Sequence, residues 1–153
     1  MKLKLPILII TILFMMTGFQ SCKKKGATIS SSYGGRKSHN HGRACLHCHI
    51  TGGDNNYWWT VAGSVYKPDL TTPNHNATVY FYNGYSPAGA LVKTLEVDGY
   101  GNFFTTEAIN FADSLYVGIQ SASGTVLYMP SAIKDGNCNN CHDGKTNNRI
   151  WIN

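Results

Sequence analysis

Charge is scarce in this sequence. Only 14% of its 153 residues are Asp, Glu, Lys or Arg, and 8 of them are acidic. With 42% hydrophobic residues, such a chain is too apolar to stay unfolded. It has no Lys/Arg stripe and a formal charge of only +5, which excludes nucleic acid as a partner. Beyond the first 20 positions no apolar run approaches the roughly 20 residues that a spanning helix needs. The mature chain is therefore not expected to be an integral membrane protein. Sustained helical periodicity is also missing. What is present, 16 Gly, 9 Tyr, 6 Phe and 3 Trp, favours β structure, and the length suits one domain with one core.

The N-terminus reads as an address rather than as fold. Lys2 and Lys4 precede a run from Ile7 to Met16 that is apolar except for Thr11, and Thr17 to Ser21 lead to Cys22. This is the layout of a secretory signal peptide over 1–21. An uncleaved anchor helix would need a longer run. A Cys at the cleavage point looks like a bacterial lipoprotein signal, although Phe19 and Gln20 stand where an aliphatic and a small residue are usual. Cys22 is the expected lipidation site. The chain is then exported and held on the outer (or inner) membrane, facing the periplasm or the cell exterior. Residues 22–37, with the tri-lysine Lys23 to Lys25 and a Ser/Gly-rich stretch, read as a flexible tether. Loss of Lys2 and Lys4 lowers the formal charge to +3.

The remaining four cysteines form two pairs, each followed at once by His: Cys45-Leu-His-Cys48-His49 and Cys138-Asn-Asn-Cys141-His142. C-x-x-C-H is the attachment signature of c-type haem. Two thiols add across the porphyrin vinyl groups, and the adjacent imidazole becomes the proximal iron ligand. Three rival chemistries fit less well. Structural disulfides would leave both histidines unexplained. A zinc ribbon puts its pairs roughly 15–20 residues apart, whereas here the whole stretch from His49 to Asn137 intervenes. A thioredoxin-like site calls for one motif beside a βαβ pattern, which is absent. The expectation is two covalent haem c groups, one in a segment at 38–56 and one at 131–153.

Between them, residues 57–130 read as strands. Tyr57 to Tyr66 alternates, with Trp59, Val61, Gly63 and Val65 on one face. Ala77 to Asn83, Ala90 to Val97, Phe103 to Thr106, Ser114 to Ser121 and Thr125 to Tyr128 follow. They are separated by Pro- and Gly-bearing loops and by the turns Asp98 to Asn102 and Ser123-Gly124. Period-2 alternation with regular turn chemistry predicts an all-β antiparallel sandwich.

The order of C-x-x-C-H, "VAGSVY", "ATVYFYN", "DGYGNFF", "LYVGIQS" and "GNCNNCHDG" resembles a family of exported cytochromes. In that family c-haem motifs flank an immunoglobulin-like, carboxypeptidase-regulatory-type (transthyretin-like) β-sandwich. The resemblance covers about residues 38 to 152. It implies an electron carrier rather than an enzyme, working with other cytochromes. A "S-H-N-x-G" segment before the first motif implies His39 as a distal ligand, while His41 falls where the family more often has a small residue.

The sixth iron position takes His, Met or nothing. Bis-His gives a low potential, Met raises it, and an open position admits small ligands. His49 and His142 are the proximal ligands by motif. His39 is the distal candidate for the first iron, with His41 behind it, and Met129, nine residues before Cys138, is the candidate for the second. His47 points away from its own haem if the motif turns normally, and His75 reads as a loop residue. Tyr57, Trp58, Trp59 and Trp151 flank the motifs and would shield haem faces. Four ionised propionates would bring the formal charge to about −1, leaving docking to a local patch at the haem edge. Two other readings stay open: a haem enzyme with an open axial position, and a non-redox binding lipoprotein, which exposed Tyr and Trp on one face of the sandwich would favour. Seven strands would place the two motifs at opposite poles, so that transfer would need head-to-tail contact between molecules.

Overall fold

A computed structural model describes residues 28–50, 58–85 and 87–153. The signal peptide, Cys22, the first part of the tether, Tyr57 and residues 51–56 lie outside the described residues. The named strands are β1 (Val61–Ser64), β2 (Thr78–Asn83), β3 (Ala90–Glu96), β4 (Asn102–Thr105), β5 (Leu115–Gln120) and β6 (Val126–Tyr128). Each matches a segment expected from alternation, with β4 starting one residue earlier, at Asn102, than expected. They form two antiparallel sheets, β3-β2-β5-β6 and β1-β4. Strands β2 and β5 run centrally in the larger sheet and send Val79, Phe81, Leu115 and Ile119 inward. At the β3–β4 corner, Asp98 Oδ1 accepts from the backbone N–H of Tyr100 and Asn102, which carries the chain from one sheet to the other. Val61, Val65, Ala77, Val79, Phe81, Leu95, Val97, Phe103, Ile119 and Ile152 close the core between the layers. The fold is all-β, as its alternation predicts. No helix among the described residues is long and apolar enough to cross a membrane.

Strand β1 departs from the expected alternation, because all four of its residues are buried. One face meets the core, and the other is covered by the cysteine-bearing segments. Val61 lies in the core and Ala62 faces the first cavity, and Gly63 shows how closely the second motif packs against the strand. A Cβ there would lie 2.4 Å from Phe103 Cζ and 2.9 Å from Cys138 Cβ. Only glycine lets the second motif sit against this strand.

The flanking segments are built into the sandwich rather than appended to it. Residues 28–31, expected to be tether, run along the free edge of β4. Ser31 N–H donates to Phe104 O (2.9 Å), Thr106 N–H donates to Ile29 O (2.8 Å), and Ser30 bridges to Thr105. An exposed strand edge offers unpaired backbone groups, and this segment satisfies them. The C-terminal segment does the same on the free side of β1. Ala62 N–H donates to Gly136 O, Ala62 and Asn137 form a parallel bridge, and Tyr66 bridges in parallel to Trp151. Ile152 then enters the core and is fully buried.

The expected seven strands and opposite poles are not found among the described residues. Six strands are named, and both motifs lie against β1: the first as a 3-10 turn over Cys45–His47, the second as a short helix, α1 (Cys138–Cys141). The cause is the return of the C-terminal segment to β1 after β6. An even number of antiparallel passes brings the ends of the chain to one pole.

Candidate functional site

The first motif is shaped by local backbone bonds. Both Cys48 and His49 N–H donate to Cys45 O, at 3.2 and 3.0 Å, which winds Cys45, Cys48 and His49 into one turn. All three line a cavity of about 690 Å³, within the size range of ligand and cofactor sites. His49 is buried, its ring 4.9 Å from that of Trp59, which in turn lies 4.6 Å from Phe104. The strap at 28–31 closes part of the wall.

Upstream, Asn40 and Gly42 have φ of 52° and 80°, and these left-handed positions double the chain back on itself. The turn separates the two neighbouring histidines. His39 lines the cavity, with its ring centre 5.8 Å from that of His49 and the planes 43° apart. With metal–nitrogen bonds of about 2 Å, two imidazoles on one metal hold their centres roughly 6 Å apart. His41 turns the other way. Its Nε2 lies 3.2 Å from Val65 O and its ring packs 4.3 Å from Tyr66, while burial lowers its pKa. His41 is a packing residue of the β1 end and does not line the cavity. His47 and His75 are exposed.

The second motif opens onto a cavity of about 630 Å³ lined by Cys138, Cys141, His142, Met129 and Trp151. His142 Nδ1 lies 2.6 Å from Asn148 O. A carbonyl only accepts, so Nδ1 carries the proton and Nε2 is left as the ligating nitrogen. Met129 is held at the wall by its backbone N–H, which donates to Val117 O.

These residues fit a haem at each motif. Both thiols and the adjacent imidazole share each cavity. Cations outnumber acids on the walls: Arg36, Lys37 and Arg43 against Asp98 in the first, Lys134 and Arg149 against Asp135 in the second. That balance suits propionates.

The rival cysteine chemistries find less support in the geometry. Cys45, Cys48, Cys138 and Cys141 are all free thiols. Burial pushes the Cys45 thiol up, and pushes Cys138 up to about 12, the reverse of the low value that a thioredoxin-like nucleophile needs. Among the described residues, no three His, Cys, Asp or Glu side chains converge as a bare-metal site.

Family models, curated proteins and solved structures offer no match to this chain. The chemistry of its own residues therefore carries the functional assignment. Sequence reasoning missed the groups that join the two motifs. Asn139, in the variable part of the second motif, is 2% exposed. Its Nδ2 donates to Arg43 O (2.8 Å) and to Ser64 Oγ (2.9 Å), and its Oδ1 accepts from Ser64 N–H (3.0 Å). Ser64 Oγ donates to Asn102 Oδ1, and Asn102 Nδ2 donates to Ser38 Oγ beside His39. No spacing rule marks these residues, because their roles arise from contacts between distant parts of the chain. Phe103, a core residue, lines both cavities.

Proposed function

We propose that this chain is an exported, lipid-anchored dihaem c-type cytochrome that carries electrons. The observation that supports it best is that each C-x-x-C-H motif presents its two thiols and its imidazole to a cavity of its own. Bound haem would supply a one-electron ferric/ferrous couple whose potential is set by axial ligands, burial and hydrogen bonds.

The chain's residues divide the work. Cys45, Cys48, Cys138 and Cys141 hold the groups covalently, and His49 and His142 are the proximal ligands. His142 is oriented by the Asn148 carbonyl. The spacing between His39 and His49 favours bis-His ligation at the first site, and Met129 is the available distal group at the second. Other cytochromes are the expected redox partners. An anchor at Cys22 would lie six residues before Thr28, a reach of at most about 20 Å. The first cavity, which Thr28 lines, would then sit close to the bilayer.

Expression with c-haem maturation machinery, followed by intact mass and absorption spectra, tests this reading. Two covalently added haems with low-spin spectra are expected, and a near-infrared charge-transfer band would report Met129 ligation. A haem-free chain would overturn it.

One observation favours a binding module instead. Tyr80, Tyr82, Tyr116 and Tyr128 lie together on the outer side of the larger sheet, with the Tyr82 ring 6.2 Å from Tyr80 and 6.3 Å from Tyr128. Such a face suits stacking partners, but this reading leaves both cysteine motifs without a purpose.

A further inference from the structure

We infer that Asn139 is a positioning residue that locks the two attachment motifs into one register, so that the two sites form a coupled pair within a single chain. The inference rests on the dihaem reading and adds to it: two haems alone do not require their sites to interact.

Three observations carry it. The first is the direct tie between motifs. Asn139 lies between Cys138 and Cys141, and its amide donates to the carbonyl of Arg43, two residues before Cys45. The second is the burial and completeness of the network around that tie. Ser64 is fully buried, Asn139 nearly so, and both polar ends of the Asn139 amide are satisfied. Ser64 Oγ also accepts from Gly42 N–H (2.8 Å), in the turn that aims His39. A buried network of this kind fixes geometry, because moving one member strands another without a partner. The third is the thinness of the partition. Phe103 belongs to both cavity walls, and Gly63 is the point on β1 where Phe103 and Cys138 converge.

Electron tunnelling falls steeply with separation, so fixed neighbouring sites favour exchange in which one site is oxidised as the other is reduced, with no bond made and no proton moved. Charge at one site also acts on the other through a poorly screening wall. Asn139 lines neither cavity and acts by holding the motifs.

The test uses full-length holoprotein and two single-site variants, C45A/C48A and C138A/C141A. Haem mass and low-spin spectra are checked first, so that failure of the dihaem reading, a wild-type protein without two haems, is seen separately. In the dihaem protein, reduction of one site should lower the electron affinity of the other about tenfold, or about 59 mV for one electron. The EPR spectrum of the fully oxidised protein should differ from the sum of the two single-site spectra. Additive spectra and unshifted midpoints would overturn the coupling. Asn139→Asp keeps an acceptor for Ser64 N–H but loses both donors. It should retain two haems while the EPR interaction and the midpoint separation change. Wild-type values in that variant would remove Asn139 from the role. If Asn139→Asp fails to fold, Asn139→Gln, which keeps the amide but sets it one methylene further out, gives the same readout with the same two outcomes.

Discussion

His39 and His41 stand two residues apart and face different surroundings, which makes them a sensitive probe of the first site. His39 sits opposite His49, whereas His41 is tied to Val65 O and packed on Tyr66. His39→Ala is expected to turn one of two low-spin sites into a high-spin, ligand-binding one, seen by absorption and EPR with an added small ligand. His41→Ala should leave those spectra unchanged and lower stability by about 1–2 kcal/mol through the lost hydrogen bond and ring packing, measured by denaturant melting. Reversed results would move the distal assignment to His41. The histidines proposed as proximal ligands are named by the sequence alone, because C-x-x-C-H spacing is itself the attachment signature. The division between His39 and His41 is not legible there, since it depends on where the turn at Asn40 and Gly42 sends each ring.

At the scale of elements, the segment after the second motif is the one most dependent on the sandwich. Tyr66 N–H donates to Ile150 O, Ile152 N–H donates to Tyr66 O, and the Ile152 side chain is fully buried. Ile152→Ala should cost about 2–5 kcal/mol, the range for truncating a buried aliphatic side chain. It should also loosen the carbonyl of Asn148 that orients His142. Denaturant melting checks the first effect, and the near-ultraviolet and Soret dichroism of the second site checks the second. A melt unchanged from wild type would mean that the tail is not held by its core contact. Alternation located the strands because β1 to β5 each set residues in the core or against it, while β6, with Leu127 and Tyr128 exposed, follows the turn at Ser123-Gly124. It failed to predict the full burial of β1, because pattern shows how many faces are apolar and not what covers a small residue such as Gly63.

For the whole molecule, the shared pole replaces head-to-tail contact as the nearest route between sites. If the sites exchange electrons within one chain, equilibration after rapid one-electron reduction should be first order, with a rate that does not change on tenfold dilution. A rate that scales with protein concentration would return the route to contacts between molecules. The placement of residues 28–31 on β4 also shortens the link between the folded body and Cys22, so a lipid anchor at Cys22, as proposed, would lie on the side of the first cavity.

The sequence by itself determined the strand positions and the all-β class, and it alone carries the proposal of paired motif cysteines with His49 and His142 as proximal ligands. These are local properties: adjacent residues, fixed spacing and period-2 burial. Tertiary structure alone decided that both motifs meet on β1, that Asn139 and Ser64 join them, and that Phe103 divides their cavities. The physical reason is that strand pairing across many residues depends on which edges are left free. The edges of β1 and β4 were free, and the two end segments satisfied their backbone groups.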